Sequence, residues 1–452
     1  MKLLFWFPAL LWAATTPFAS AGSATWSAHP VSSDWTTAAN WIPATVPDGP
    51  DDVATFSTSD ITAVTLHSSV EVNAIVFAPG ASPFTINPTE RSITFIGGGV
   101  INNSEITQNF VIDTATTGFL YFKGSATAGD LVQYTQSGGL PFSGQNAISF
   151  YDNSTAGTAT FNVNGGPDSG NQFGGILTFW GEASADNATI IANGGGPGTN
   201  GGIVYFNGTS TASHASIFAN GATARNGSGG FVSFQFVAAT ADQAVITAWG
   251  SDVGGAGNIS FQDAASAANA TLMANPGEAY GGQIVFSSIG APTGGSAPIK
   301  LVGNGKLYDL LDSYLEIGSL EGDGFVSLGT LTGANLSIGT NNLSTVFSGL
   351  IEERSGSTKS ALTKIGTGSL TLNGANTYAV GTTIEAGELV LNNRTGSGTG
   401  TGAVQVNAGR LAGRGIIAGA VVVGTGTGSG AMLAPGQSKA RQNTLTVQGA
   451  LT

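Results

Sequence analysis

The sequence predicts an all-β fold, a right-handed parallel β-helix, and three observations carry that prediction. Phenylalanine returns at near-constant intervals as Phe122, Phe150, Phe179, Phe206, Phe234, Phe261 and Phe286, about 25–29 residues apart. Each sits in a short alternating segment such as "GGILTFWG" (174–181) or "GGIVYFNG" (201–208), with bulky apolar residues on one face. The composition suits strands and corners: 69 of 452 residues are glycine, 9% are charged and none is cysteine. An ordinary domain is roughly 25% charged, and the Lys, Glu, Arg and Leu that build surface helices are scarce here.

The chain opens on "MKLLFWFPALLWAATTPFASAGSA". Lys2, the apolar core Leu3 to Trp12 and the small residues Ala19-Ser20-Ala21 predict a secretory signal over 1–21. The core is too short to span a bilayer, and no other run approaches 18 apolar residues, so no membrane helix is expected. Without cysteine the exported chain has no disulfides to rely on. A net charge of −13, with the 14 basic residues scattered, disfavours nucleic acid as a partner.

Residues 22–115 read as an N-terminal cap and the first turns, with Trp26, Trp35 and Trp41 placed to seal the open end of a solenoid. The same rings could stack on sugars. Residues 116–305 are the Phe-anchored repeat. A second strand follows the Phe in each unit, as in "ATFNVNGG" (159–166), "ATIIANGG" (188–195) and "ASIFANGA" (215–222). Two short strands cannot bury their own apolar face, whereas stacked copies share one core. A propeller blade needs ~40–45 residues and four strands. Asn164, Asn193, Asn220 and Asn275 close four of these strands, where stacked amides at equivalent corners form ladders. Residues 306–452 continue the helix. Nothing after Gly436 reads as a cap, so Thr452 is expected to be followed by more turns or to dock on a partner, another copy of the chain included.

Within 362–393, "LTKIGTGSLTLNGANTYAVGTTIEAGELVLNN" sets out Lys364, Gly366, Gly368, Leu370, Leu372, Gly374, Asn376 and Tyr378. Gly381, Thr382, Thr383, Ala386, Gly387 and Leu389 follow. This stretch resembles the autotransporter-associated β-strand repeat, or passenger-associated transport repeat. Its pattern runs Lys-x-Gly-x-Gly-x-Leu-x-Leu-x-Gly-x-Asn-x-Tyr. The family's Tyr-x-Gly-Gly-Thr is Tyr378-Ala379-Val380-Gly381-Thr382 here. Segments 24–56, 315–329 and 409–438 look like turns found beside such a repeat. The resemblance implies an exported β-helical passenger, extracellular or at the cell surface in association with the outer membrane. It implies no activity. On the residues alone, the glycines are corner residues: a phosphate-cradling loop would need a following helix and a Lys after the glycines, and Lys364 precedes them.

Chemistry has few candidates. His29, His67 and His214 lack metal-ligand spacing, and no Gly-x-Ser-x-Gly stands at a strand-to-helix turn. Asp309, Asp312, Glu316, Glu321 and Asp323 lie close in sequence, and carboxylate clusters serve some β-helix enzymes that cut polysaccharides. A solvated acidic edge is the plainer reading. Asp51-Asp52 and Glu352-Glu353 are adjacent, so on a strand the members of each pair point to opposite faces. No catalytic, cofactor or metal-binding residues are therefore expected. The leading expectation is a non-enzymatic, adhesin-like surface scaffold, with surface glycans or other surface proteins as partners. The alternative is a polysaccharide-binding or polysaccharide-degrading β-helix.

Overall fold

In the computed structural model the described residues are 22–113, 118–138, 147–167, 172–287, 290–311, 314–329, 333–354, 359–425, 430–436 and 444–452. The signal segment 1–21 and Asp312 lie outside them. The chain winds into a parallel β-solenoid. A 15-stranded sheet runs from the first turns to Leu350–Glu353, and a 16-stranded sheet from Ala63–Thr65 to Ala431–Pro435. Up to Lys306–Leu310 their strands alternate along the sequence, so each of these turns gives one strand to each ladder. Every pairing between named strands is parallel except that of Ala24–Trp26 with Trp41–Ile42. Among the described residues the only helical element is a single 3-10 turn, Ala38–Asn40.

The repeating phenylalanine sets the register. Phe122, Phe150, Phe179, Phe206, Phe234, Phe261 and Phe286 are all buried. They stack with ring centroids 4.5 to 4.9 Å apart, and Phe95 extends the column at 4.6 Å. That distance equals the ~4.7–4.9 Å spacing of paired strands, so each ring lies directly over the last. A second stack, Phe110, Tyr134 and Phe161, fills the facing sheet at 5.0 and 4.8 Å. Leu370 and Leu372, two apart on Ser369–Leu372, are both buried, as period-two alternation requires.

A third side closes the cross-section. Thr127, Thr155, Ser184, Thr211, Thr240, Ser266 and Thr293 form a column of single parallel bridges. In six of these seven the hydroxyl accepts a bond from the backbone N–H two residues on, at 2.9–3.1 Å. This is an ST-turn repeated along the axis. The buried alanine after six of the seven hydroxyls, such as Ala156, Ala185 or Ala212, is small enough for the corner, and Gly294 follows Thr293. Beyond Thr293 this narrow ladder gives way to a true six-stranded sheet, from Tyr314–Ile317 to Val421–Val423.

The asparagine ladder is present over three turns. Asn193 donates to Asn164 and Asn220 donates to Asn193, both at 2.8 Å. It stops where Trp249 takes the equivalent corner, one turn before Asn275. Trp26, Trp35 and Trp41 are buried around Phe56, and their indole N–H groups donate to the carbonyls of Ile61, Pro47 and Trp35. Buried rings offer no platform to a sugar. Near the end of the chain, Thr446–Val447 pairs with Ile416–Ile417 and Leu451 bridges Val421.

Candidate functional site

The conspicuous motif, 362–393, spends its signature residues on joining turns. Lys364 is buried on Ala361–Lys364. Its Nζ donates to the carbonyls of Ile365 and Gly366 and, one turn on, to Ala386 at 3.5 Å. Burial draws its pKa down to about 8. Asn376 clasps three turns: its Oδ1 accepts from Ile351 N–H at 2.9 Å, and its Nδ2 donates to Gly398 O at 2.7 Å. Tyr378 is buried, and its hydroxyl and that of Thr382 lie 2.7 Å apart. Thr382 donates on to Thr399 O at 3.1 Å. Gly381 has φ +120°, and a Cβ there would collide with the carbonyl of Ala403 on the next turn.

Residues 362–391 match the family described as Passenger-associated-transport-repeat. No curated protein and no solved structure matches the chain. The transport repeat thus has a physical content here. Its Lys, Asn and Tyr satisfy corner carbonyls and amides, its glycines admit neighbouring backbone, and its leucines fill the core.

The acidic stretch does not gather into a site. Asp309 lies on Lys306–Leu310 and continues the inward phenylalanine column, between Phe286 and Leu328 in register. It is fully buried. Its Oδ1 accepts from Leu311 N–H at 3.2 Å, and its Oδ2 has no partner. Burial pushes its pKa up to about 7, against that single backbone bond. For this residue the reading of a solvated edge is wrong: an acid occupies a core position. Glu316 is on the third sheet, where it accepts from the Tyr314 hydroxyl at 2.8 Å. Glu321 pairs with Lys300 at 3.4 Å, and Asp323 accepts from Gly303 N–H. Asp309, Glu316 and Glu321 fall on three different sheets, and Asp323 lies just past the strand of Glu321. Among the described residues no group of three His, Cys, Asp or Glu is placed to hold a metal ion. His29 and His67 each face one carboxylate, Asp60 and Asp34. For Asp34, burial alone would raise the pKa, but bonds from His67, Thr36 and Thr37 hold it at about 2.

Sequence reasoning missed a groove on the outer face of the 15-stranded sheet. Ile203, Phe231, Asn258, Gln283, Lys306 and Phe325 fall in register on six successive turns, all half-buried. Hollows of about 420 and 340 Å³ lie along them, and a third of about 510 Å³ adjoins both on the wall formed by Arg225, Asp252 and Tyr280. Gly255, Tyr280 and Gln283 are each shared between two of these, which makes the depression continuous. Tyr280 is 55% exposed on the wall. Asn258 donates to Gln283 Oε1 at 3.2 Å, and Asn258 Oδ1 has no partner. Arg225 and Asp252 line one hollow, Lys306 and Glu352 another. A separate aromatic pair, Trp180 and Phe236, stands exposed with rings nearly parallel and centroids 6.5 Å apart.

Proposed function

We propose that the chain is an exported, non-enzymatic β-solenoid passenger, an extended scaffold or adhesin-like protein displayed at the cell surface in association with the outer membrane. The observation that carries this reading is the transport-repeat match at 362–391, set within ladders that run on through it. Dispersal of the acidic stretch over three sheets supports a role without catalysis. No helix among the described residues is long and apolar enough to cross a membrane. We take the winding as right-handed, because parallel strands joined by a crossover within one sheet connect that way in almost all proteins.

Intact cells of the native host, treated with an impermeant protease and probed with antibody to the chain, test this reading. Loss of the signal without lysis is the expected outcome. A chain degraded only after lysis would reject it. Incubation with polysaccharides should release no new reducing ends.

The groove favours one part of a second reading, polysaccharide binding. Its floor mixes aromatic rings with amides, as sugar contacts require.

A further inference from the structure

We infer that the groove over Ile203, Phe231, Asn258, Gln283, Lys306 and Phe325 holds a neutral polysaccharide chain lying along the solenoid axis. This deepens the polysaccharide-binding reading and rests on the chain being presented outside the cell. Three observations support it. Successive turns repeat every ~4.8 Å, close to the length one pyranose adds to an extended chain, so each turn can place one subsite at matching spacing. Phe231, Phe325 and the exposed Tyr280 supply apolar ring surface for the C–H face of a sugar. Asn258 and Gln283, both half-buried on the floor, supply amide groups for hydroxyls.

Charge and topology choose among occupants. Arg225 is balanced by Asp252, and Lys306 by Glu352, within a chain of net charge −13. That arrangement neither attracts a polyanion nor demands a cation. An extended peptide binds a sheet by pairing with a free edge strand. Every floor strand here already has a ladder neighbour on both sides, so only side chains face the groove.

The test is affinity electrophoresis of the full secreted chain in gels cast with galactomannan, mixed-linkage β-glucan or polygalacturonate. Retardation by at least one neutral polymer and none by polygalacturonate is expected. Tyr280→Ala, at an exposed position, should weaken retardation at least tenfold with an unchanged melting curve. Gln283→Ala should weaken it too, whereas Trp180→Ala, in the separate aromatic pair, should stay within twofold. Absence of retardation by both neutral polymers overturns the proposal, as does a Tyr280→Ala protein that binds like the parent. If only Trp180→Ala loses binding, polysaccharide recognition stands but this groove is not its site. A chain that is protease-accessible on intact cells yet binds neither neutral polymer refutes the groove and leaves the surface reading intact.

Discussion

Asp309 shows what one residue can do against its surroundings. It stands where the column calls for an apolar side chain, with Phe286 on one side and Leu328 on the other. Its folded pKa of about 7 lies above the ordinary 3.8. The folded state therefore holds the proton more tightly than the unfolded chain. The resulting stability is fully present below about pH 4 and is lost as pH rises to about 7. Asp309→Asn keeps the acceptor for Leu311 N–H and cannot ionise. It should raise stability at pH 8 by on the order of 4 kcal/mol and leave it unchanged near pH 3. Denaturant titrations at the two pH values check this, and an equal effect at both would show that Asp309 is not a buried acid. The sequence displayed this residue only as one of a run of acids. Proximity along the chain hid that alternation sends Asp309, Glu316 and Glu321 to three different sheets. Glu352 and Glu353 were easier to place. On one strand, Glu352 lines the groove while Glu353 continues the inward column and accepts from Ser360 N–H at 2.7 Å.

At the scale of elements, legibility follows residue type. The phenylalanine column was readable because one bulky side chain recurs at one inward position, and the 362–393 stretch because its residues have fixed structural duties. The ST-turn column was not, since Ser, Thr and Ala at a corner look like ordinary surface composition. The groove was hidden for the opposite reason. Its floor positions are equivalent in register but hold five residue types over six turns, so no repeat marks them. Two substitutions test the packing. Phe206→Ala removes a ring stacked on both sides, at 4.8 and 4.6 Å, and should cost about 3–5 kcal/mol in chemical denaturation. A cost under about 1 kcal/mol would mean that the column carries little of the stability. Leu370→Asp places an unpaired charge in the core and should lower the melting temperature sharply. An unshifted melting curve would put Leu370 on the outer face.

In the whole molecule the turn is the structural unit, and the outer faces are free to vary from turn to turn. The same backbone can then carry a groove over six turns, an exposed aromatic pair and a repeat devoted to cohesion. All of this depends on successive turns stacking in the stated register. Outward positions of the 16-stranded sheet fall in one column: Gln133, Thr160, Thr189, Ser216, Val245 and Thr271. The chain has no cysteine, so pairs of introduced cysteines can be spin-labelled without background. Electron–electron double resonance should give backbone separations of about 19 Å for Gln133→Cys with Val245→Cys, and about 24 Å for Gln133→Cys with Thr271→Cys, one strand spacing per turn. Distances that do not lengthen by about 5 Å with the added turn would contradict the stacked solenoid itself.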